Sequence, residues 1–304
     1  MPRHAREKSC DSVYHVMVRS ISDTPLFKSR EDKDMFLHLI QKYKQTFMFK
    51  VYAYSLMDTH AHILIDSNGA DISDIMHGIN QCYAMYFNRV HKRRGHLFMD
   101  RFKSVIKHDD TALINASAYI NKNAKDIKGY KGVEEKYRYS SFGIYAGLFN
   151  DDYEILDQHF ILELFSRDII LAKTTYIEFV HKYDDESETQ DMEFSNELAQ
   201  YRSERRIIIR DAEPEKVVDF VADYTMFDKK YIAVKYIKDV NEMKALCVFL
   251  MRCLCDMKER DICRFMGNIT QSYAAKLYHT GLKLIDEKAK YGSIIQEFLK
   301  RQAS

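Results

Sequence analysis

The chain has 304 residues, 46% of them hydrophobic and 30% charged, with a formal net charge of +1 at pH 7. That balance excludes wholesale disorder, which goes with few apolar residues and a large net charge, and so small a net charge says nothing about partners; the distribution has to be read instead. The length suffices for two domains with at least one sizeable core. No apolar run approaches the roughly 18 to 20 residues of a bilayer span, and the segment MPRHAREKSCDS does not resemble a secretory signal, so the expectation is a cytoplasmic protein. Six cysteines, at positions 10, 82, 247, 253, 255 and 263, form no CxxC pair, which fits reduced thiols in apolar surroundings.

In chain order, residues 12–19, SVYHVMVR, are β-rich and apolar enough for a buried strand. Ser29 then opens a capping box with Asp32 in its third position, and Met35, Phe36, Leu39, Ile40 and Tyr43 follow at helical spacing, for a helix of about four turns. Phe49 to Met57 alternates, Asp58 and Thr59 make a tight turn, and His60 to Asp66 alternates back as the second arm of a hairpin. From Ile72 to Val90 the apolar residues keep a 3.6-residue period. Residues 102–108 suit a fourth strand, and a further helix starts near Asp109 or Asp110 and runs to Asn123. The order strand, helix, strand, strand, helix, strand is the split βαβ pattern of ferredoxin-like folds.

The returning hairpin arm raises the first chemical question. Residues two apart on a strand project to one side, so His60 and His62 share a face. Two imidazoles in one space suit a metal ion, but with 12 histidines in the chain a chance pair meets the spacing equally well. His15 reads as a structural histidine and Asp58 as a turn carboxylate. On the last of these helices Tyr119 and Asn123, four apart, share one side, whereas Leu113, Ser117, Ile120 and Ala124 form another that can pack on the sheet.

Charge is unevenly spread. Residues 89–107 hold seven Lys or Arg against one Asp, with His91 and His96 besides. Arg93, Arg94, His96, Arg101 and Lys103 are the candidate phosphate contacts, because Lys and Arg supply most of the affinity for a nucleic-acid backbone; a solvated helix end has the same composition. Lys182 to Glu197 reverses the sign, with seven acidic residues against one Lys, and the stretch to about Arg206 reads as a linker. Beyond it, Ala245 to Leu254 is densely apolar, ERDICRFMG ends at Gly267, and NITQSYAAKLYH follows with Thr270 as its cap. Two helices across a glycine turn match a helix-turn-helix, in which Thr270, Gln271 and Ser272 would face base edges; a helical hairpin unrelated to DNA has the same outline.

Five ordered segments, YHVMVR (Tyr14–Arg19), LMDTHAH (Leu56–His62), GHLFMDRFKS (Gly95–Ser104), AYINKN (Ala118–Asn123) and YSSFGIYAG (Tyr139–Gly147), together resemble the HUH-type single-tyrosine transposases, and within them the REP-associated branch. The C-terminal helix-turn-helix region resembles the DNA-binding end domain of the bacterial replication initiator DnaA. The first resemblance implies that His60 and His62 are metal ligands, that Tyr119 is the nucleophile, and that Asn123 is the third ligand, with Mg²⁺ or Mn²⁺ as cofactor. Thr59 stands where the family usually has asparagine, Ala124 where many members have proline, and the loop RSISDTPLF lacks the usual glycine- and asparagine-rich form.

The expected fold class is therefore α+β: a ferredoxin-like antiparallel sheet with packed helices, followed by an all-α C-terminal DNA-binding domain. The expected boundaries are 1–150 for a catalytic domain, 151–206 for a helical and acidic connector, and 207–304 for a helical domain with the helix-turn-helix. The activity implied is DNA transposition, by metal-dependent cleavage and rejoining of single-stranded DNA through a covalent phosphotyrosine, at hairpin-forming repeats. The expected partner is single-stranded or hairpin DNA, without a membrane, and a homodimer is left open. A catalytically inactive, domesticated DNA-binding regulator is the alternative; relaxases and replication initiators of the wider HUH group fit less well, because the GHLFMDRFKS and YSSFGIYAG segments point away from them.

Overall fold

Local signals in the sequence set most of the elements in the computed structural model, which describes residues 12–21, 24–183, 208–233, 238–267, 269–287 and 289–302. The first unit begins with β1 (Val13–Arg19), α1 (Arg30–Phe47), β2 (Lys50–Leu56), β3 (His60–Asp66), α2 (Ile72–Val90) and β4 (Lys103–Lys107). The sheet order is β2-β3-β1-β4 and every pairing is antiparallel, the ferredoxin-like arrangement expected. Ser29 caps α1: its hydroxyl accepts from the Asp32 amide, and the Asp32 carboxylate accepts from the Ser29 amide. At 18 residues, α1 is a turn longer than expected, because the buried side chains of Tyr43 and Phe47 carry its apolar stripe onward.

Among the described residues this unit also has the α-helices α3 (Asp110–Lys122), capped by the Asp109 carboxylate, α4 (Phe142–Tyr145), α5 (Gln158–Glu163) and α6 (Ile169–Lys182). α3 lies against β2, β3 and β4. There Val13, Ala53 and Leu64 of the sheet join Leu113, Ala116 and Ile120 of α3 in one apolar cluster with residues of α4 to α6. The opposite sheet face, with Tyr14, Val16, Val18, Ala61, Ile63 and Ile65, is buried as completely. α1 and α2 pack on each other through Phe36 and Tyr83, whose rings meet edge-on at 5.1 Å.

Cα proximity divides the chain into two units, Met1–Lys44 with Met48–Ile207, and Gln45–Phe47 with Ile208–Ser304. Among its described residues the second is all-helical: α7 (Pro214–Thr225), α8 (Lys238–Leu254), α9 (Glu259–Met266), α10 (Gln271–Glu287) and α11 (Ile294–Gln302). α8 and α10 make its main packing contact. A Cβ at Gly281 would lie 2.4 Å from the Ala245 carbonyl, so glycine is what lets these helices come so close. α9 ends at Gly267, whose φ of 71° is a left-handed cap that a side chain would strain. Thr270 accepts from the Tyr273 amide at 3.3 Å at the start of α10.

Cys247 and Cys253 are buried, Cys82, Cys255 and Cys263 partly so, and all five are free thiols. Cys10 and nearly all of the acidic stretch, residues 184–207, lie outside the described residues. Among the described residues no helix is long and apolar enough to cross a membrane.

Candidate active site

In the pairing of β1 with β3, Met17 stands opposite His62 and Arg19 opposite His60. Opposed residues, and those two further along, share a face. His15, Met17 and Arg19 are therefore on the same side as His60, His62 and Leu64, the side on which α3 packs. Along this side the apolar cluster around Val13 and Leu64 gives way to His15, then His62, then His60 at the strand end. Tyr119, half-buried on α3, packs against the cluster where the histidines begin.

The rings converge. His62 lies 5.2 Å from His60 and 5.7 Å from Tyr119, both nearly perpendicular, and His15 lies 5.7 Å from Tyr119, centroid to centroid. His15 Nε2 is 2.8 Å from His62 Nδ1, a buried hydrogen bond. Thr59 Oγ1 is 3.0 Å from His60 Nδ1. Each of the paired histidines thus has Nδ1 engaged, and among the described residues no hydrogen bond engages either Nε2.

The electrostatics keep these rings neutral. Burial, then the charge of His60, pushes His62 down to about 3. Burial, then His62 and Lys107, lowers His15 well below its ordinary value. Burial and the Arg19 guanidinium lower His60, opposed by the Asp126 carboxylate. A neutral imidazole keeps the lone pair that a metal ion requires, so the chemistry of these donors suits a divalent cation.

Asn123 caps the C-terminal end of α3, one turn beyond Tyr119, and its Nδ2 donates to the Tyr119 carbonyl at 2.7 Å. Its Oδ1 accepts no hydrogen bond among the described residues, and no hydrogen bond ties it to a histidine. The helix that carries Tyr119 and Asn123 is held by a buried polar network. Ser117 Oγ and Asn121 Nδ2 meet the Tyr176 hydroxyl at 2.5 and 2.7 Å, and Ser141 donates to Asn121 Oδ1 at 2.6 Å. Ser141 also bonds the Tyr54 backbone on edge strand β2. The YSSF segment and α6 therefore set the height of Tyr119 above the sheet; satisfied networks of this kind are stiff.

Asp58 pairs with Lys33 at 2.8 Å rather than with a histidine, as a turn carboxylate would. Of the basic residues, Arg94, His96, Arg101 and Lys103 are exposed, and Arg93 is half-buried, bonding Asn88 Oδ1 at 3.3 Å. In the second unit Thr270, Gln271 and Ser272 are exposed at the start of α10. Sequence reasoning passed over His15 as structural and did not weigh Arg19 at all; strand alternation gave the face of each within β1, but the register against β3 was needed to bring them to the pair. A separate cluster joins Glu134, Glu135 and His181. There Nδ1 faces Glu134 at 3.9 Å and Nε2 faces Glu135 at 3.6 Å. An ion takes one nitrogen of an imidazole, whereas here the two carboxylates lie at different nitrogens of the ring.

Residues 8–123 match the family model described as "Transposase IS200 like", a span that contains β1, the histidine pair and α3. A solved structure described as "Structure of the REP associates tyrosine transposase bound to a REP hairpin" is similar over 49% of this chain and 89% of its own, at 17% identity and a TM-score of 0.41. No curated protein matches.

Proposed function

We propose that the chain is a metal-dependent tyrosine transposase that cuts and rejoins single-stranded DNA. The observation that carries this reading is the meeting of Tyr119 with His62, 5.7 Å between rings, on the face shared with His60. The family match over residues 8–123 supports it.

A phosphodiester resists attack because its negative charge repels nucleophiles. His60 and His62, through Nε2, and Asn123, through Oδ1, would hold the cation, and Mg²⁺ or Mn²⁺ there would supply positive charge against the negative charge that the phosphoryl oxygens carry during attack. Neutral ligands leave the cation's charge undiminished. The Tyr119 hydroxyl attacks phosphorus: the bond from the phenolic oxygen to phosphorus forms, the bond to the 3′ oxygen breaks, and the proton lost by the phenol is balanced by one gained at the 3′ hydroxyl. The phosphotyrosine conserves the ester's energy, so a second DNA end can rejoin the strand without ATP. Attack by water on the phosphotyrosine would discard that energy.

Arg93, Arg94, His96, Arg101 and Lys103 take the phosphate backbone in this reading, and Thr270, Gln271 and Ser272 present a helix-turn-helix to bases. Residues 1–150 are the catalytic domain, 151–206 the connector and 207–304 the second DNA-binding domain, in a cytoplasmic protein that acts at hairpin-forming repeats.

The test is incubation of the purified chain with hairpin-bearing single strands in Mn²⁺. A denaturant-resistant protein–DNA adduct is expected, and Tyr119→Phe abolishes it while leaving DNA binding nearly intact. Binding without any adduct would instead favour a regulator that has lost catalysis.

A further inference from the structure

The two paired histidines differ in how their second nitrogen is held. His60, at the strand end, has an exposed threonine hydroxyl, which water can replace. His62 has another imidazole, and both rings are almost wholly buried, His15 at 3% and His62 at 2% exposure. His15 is diagonal to His62 across the β1–β3 ladder, a separation that ring-sized side chains span.

We propose that His15 is a positioning residue: its Nε2 accepts the Nδ1 proton of His62 and so fixes His62 in the tautomer whose Nε2 is bare. The inference rests on the metal-dependent reading above. Between two neutral rings 2.8 Å apart, one nitrogen donates and the other accepts. If His62 Nδ1 accepted, the His62 proton would sit on Nε2, and that nitrogen could not bind a cation. Ligation therefore requires His62 to donate and His15 to carry its own proton on Nδ1. Ligating histidines are commonly oriented by what their other nitrogen meets, and losing such a partner lowers metal affinity about 10- to 100-fold. His15 also lies edge-on to Tyr119, so one ring braces both the ligand and the nucleophile.

Ring ¹⁵N shifts in the metal-free wild-type protein near neutral pH test the tautomer directly. Protonated Nδ1 and bare Nε2 on His62 are expected; the reverse pattern overturns the proposal even if the protein binds metal and forms its adduct. The second measurement is Mn²⁺ affinity, with the melting temperature of each metal-free variant as a check on folding. His15→Leu fills much of the space without an acceptor and should lose about 10- to 100-fold in affinity. His15→Gln, whose amide oxygen can accept, should stay within a few-fold, and so should Thr59→Val, since water can serve His60. A folded His15→Leu protein that binds Mn²⁺ as tightly as wild type overturns the proposal. Should His15→Leu not fold, His15→Gln and the wild-type tautomer still decide it. A wild-type protein that binds no Mn²⁺ would instead count against the metal reading.

Discussion

Ile63 and His62 are neighbours on β3, both nearly inaccessible to solvent, and they are buried to opposite effect. Ile63 faces the apolar side with Val16, where each carbon taken out of water stabilises the fold. His62 faces α3, where burial penalises its charged form and demands a partner for its ring nitrogen. One face of the strand thus supplies stability, and the other gives some of it up to hold a neutral, hydrogen-bonded imidazole. A strand's period of two makes this division available without any break in the sheet.

Three perturbations sharpen the comparison. On the stabilising face, Ile63→Ala should cost about 2–5 kcal/mol, seen as a lower urea midpoint with an unchanged slope. A cost under about 1 kcal/mol would show that this face is not a packed core.

On the other face, the effect is read through pH. His62 titrates near 6.5 in the unfolded chain and is held down to about 3 in the folded one. Above pH 7 both states are neutral and the group contributes no pH dependence. As pH falls below 6.5 the unfolded state takes up a proton that the folded state refuses, so stability falls, by about 2 kcal/mol between pH 7 and pH 5. His15, lowered in the same direction, adds to the loss. Urea titrations at the two pH values should show this drop, and His62→Gln should show a smaller one; an equal drop would mean that His62 is not what makes the fold acid-sensitive.

The smallest effect on stability belongs to the exposed basic segment, which serves as a control. Arg94→Ala should leave stability within about 0.5 kcal/mol. It should also lower the slope of DNA affinity against salt by about 1 if the residue meets a phosphate. An unchanged slope would remove Arg94 from the DNA contacts.

Much of the fold was legible in advance. Ser29 with Asp32 marked the start of α1, the periodicity from Ile72 to Val90 gave α2 to the residue, and Gly267 marked the end of α9. The candidate site was legible only in part. Spacing put His60 with His62, and a shared helix side put Tyr119 with Asn123, but only the resemblance to the HUH transposases implied a role for any of them. Nothing marked His15, because a single histidine in an apolar strand has no local signature. The network of Ser117, Asn121, Ser141 and Tyr176 was equally silent, since its members lie on segments up to 59 residues apart and none is unusual by itself.

The sequence by itself determined the periods, the caps and the order of the elements, because each depends on contacts within a few residues of the chain. The register of β1 against β3, and with it the meeting of His15, His62 and Tyr119, was decided only by the tertiary structure. Backbone ladders form between distant segments, and a slip of one residue would turn His15 to the opposite face from His62 with no change in local pattern.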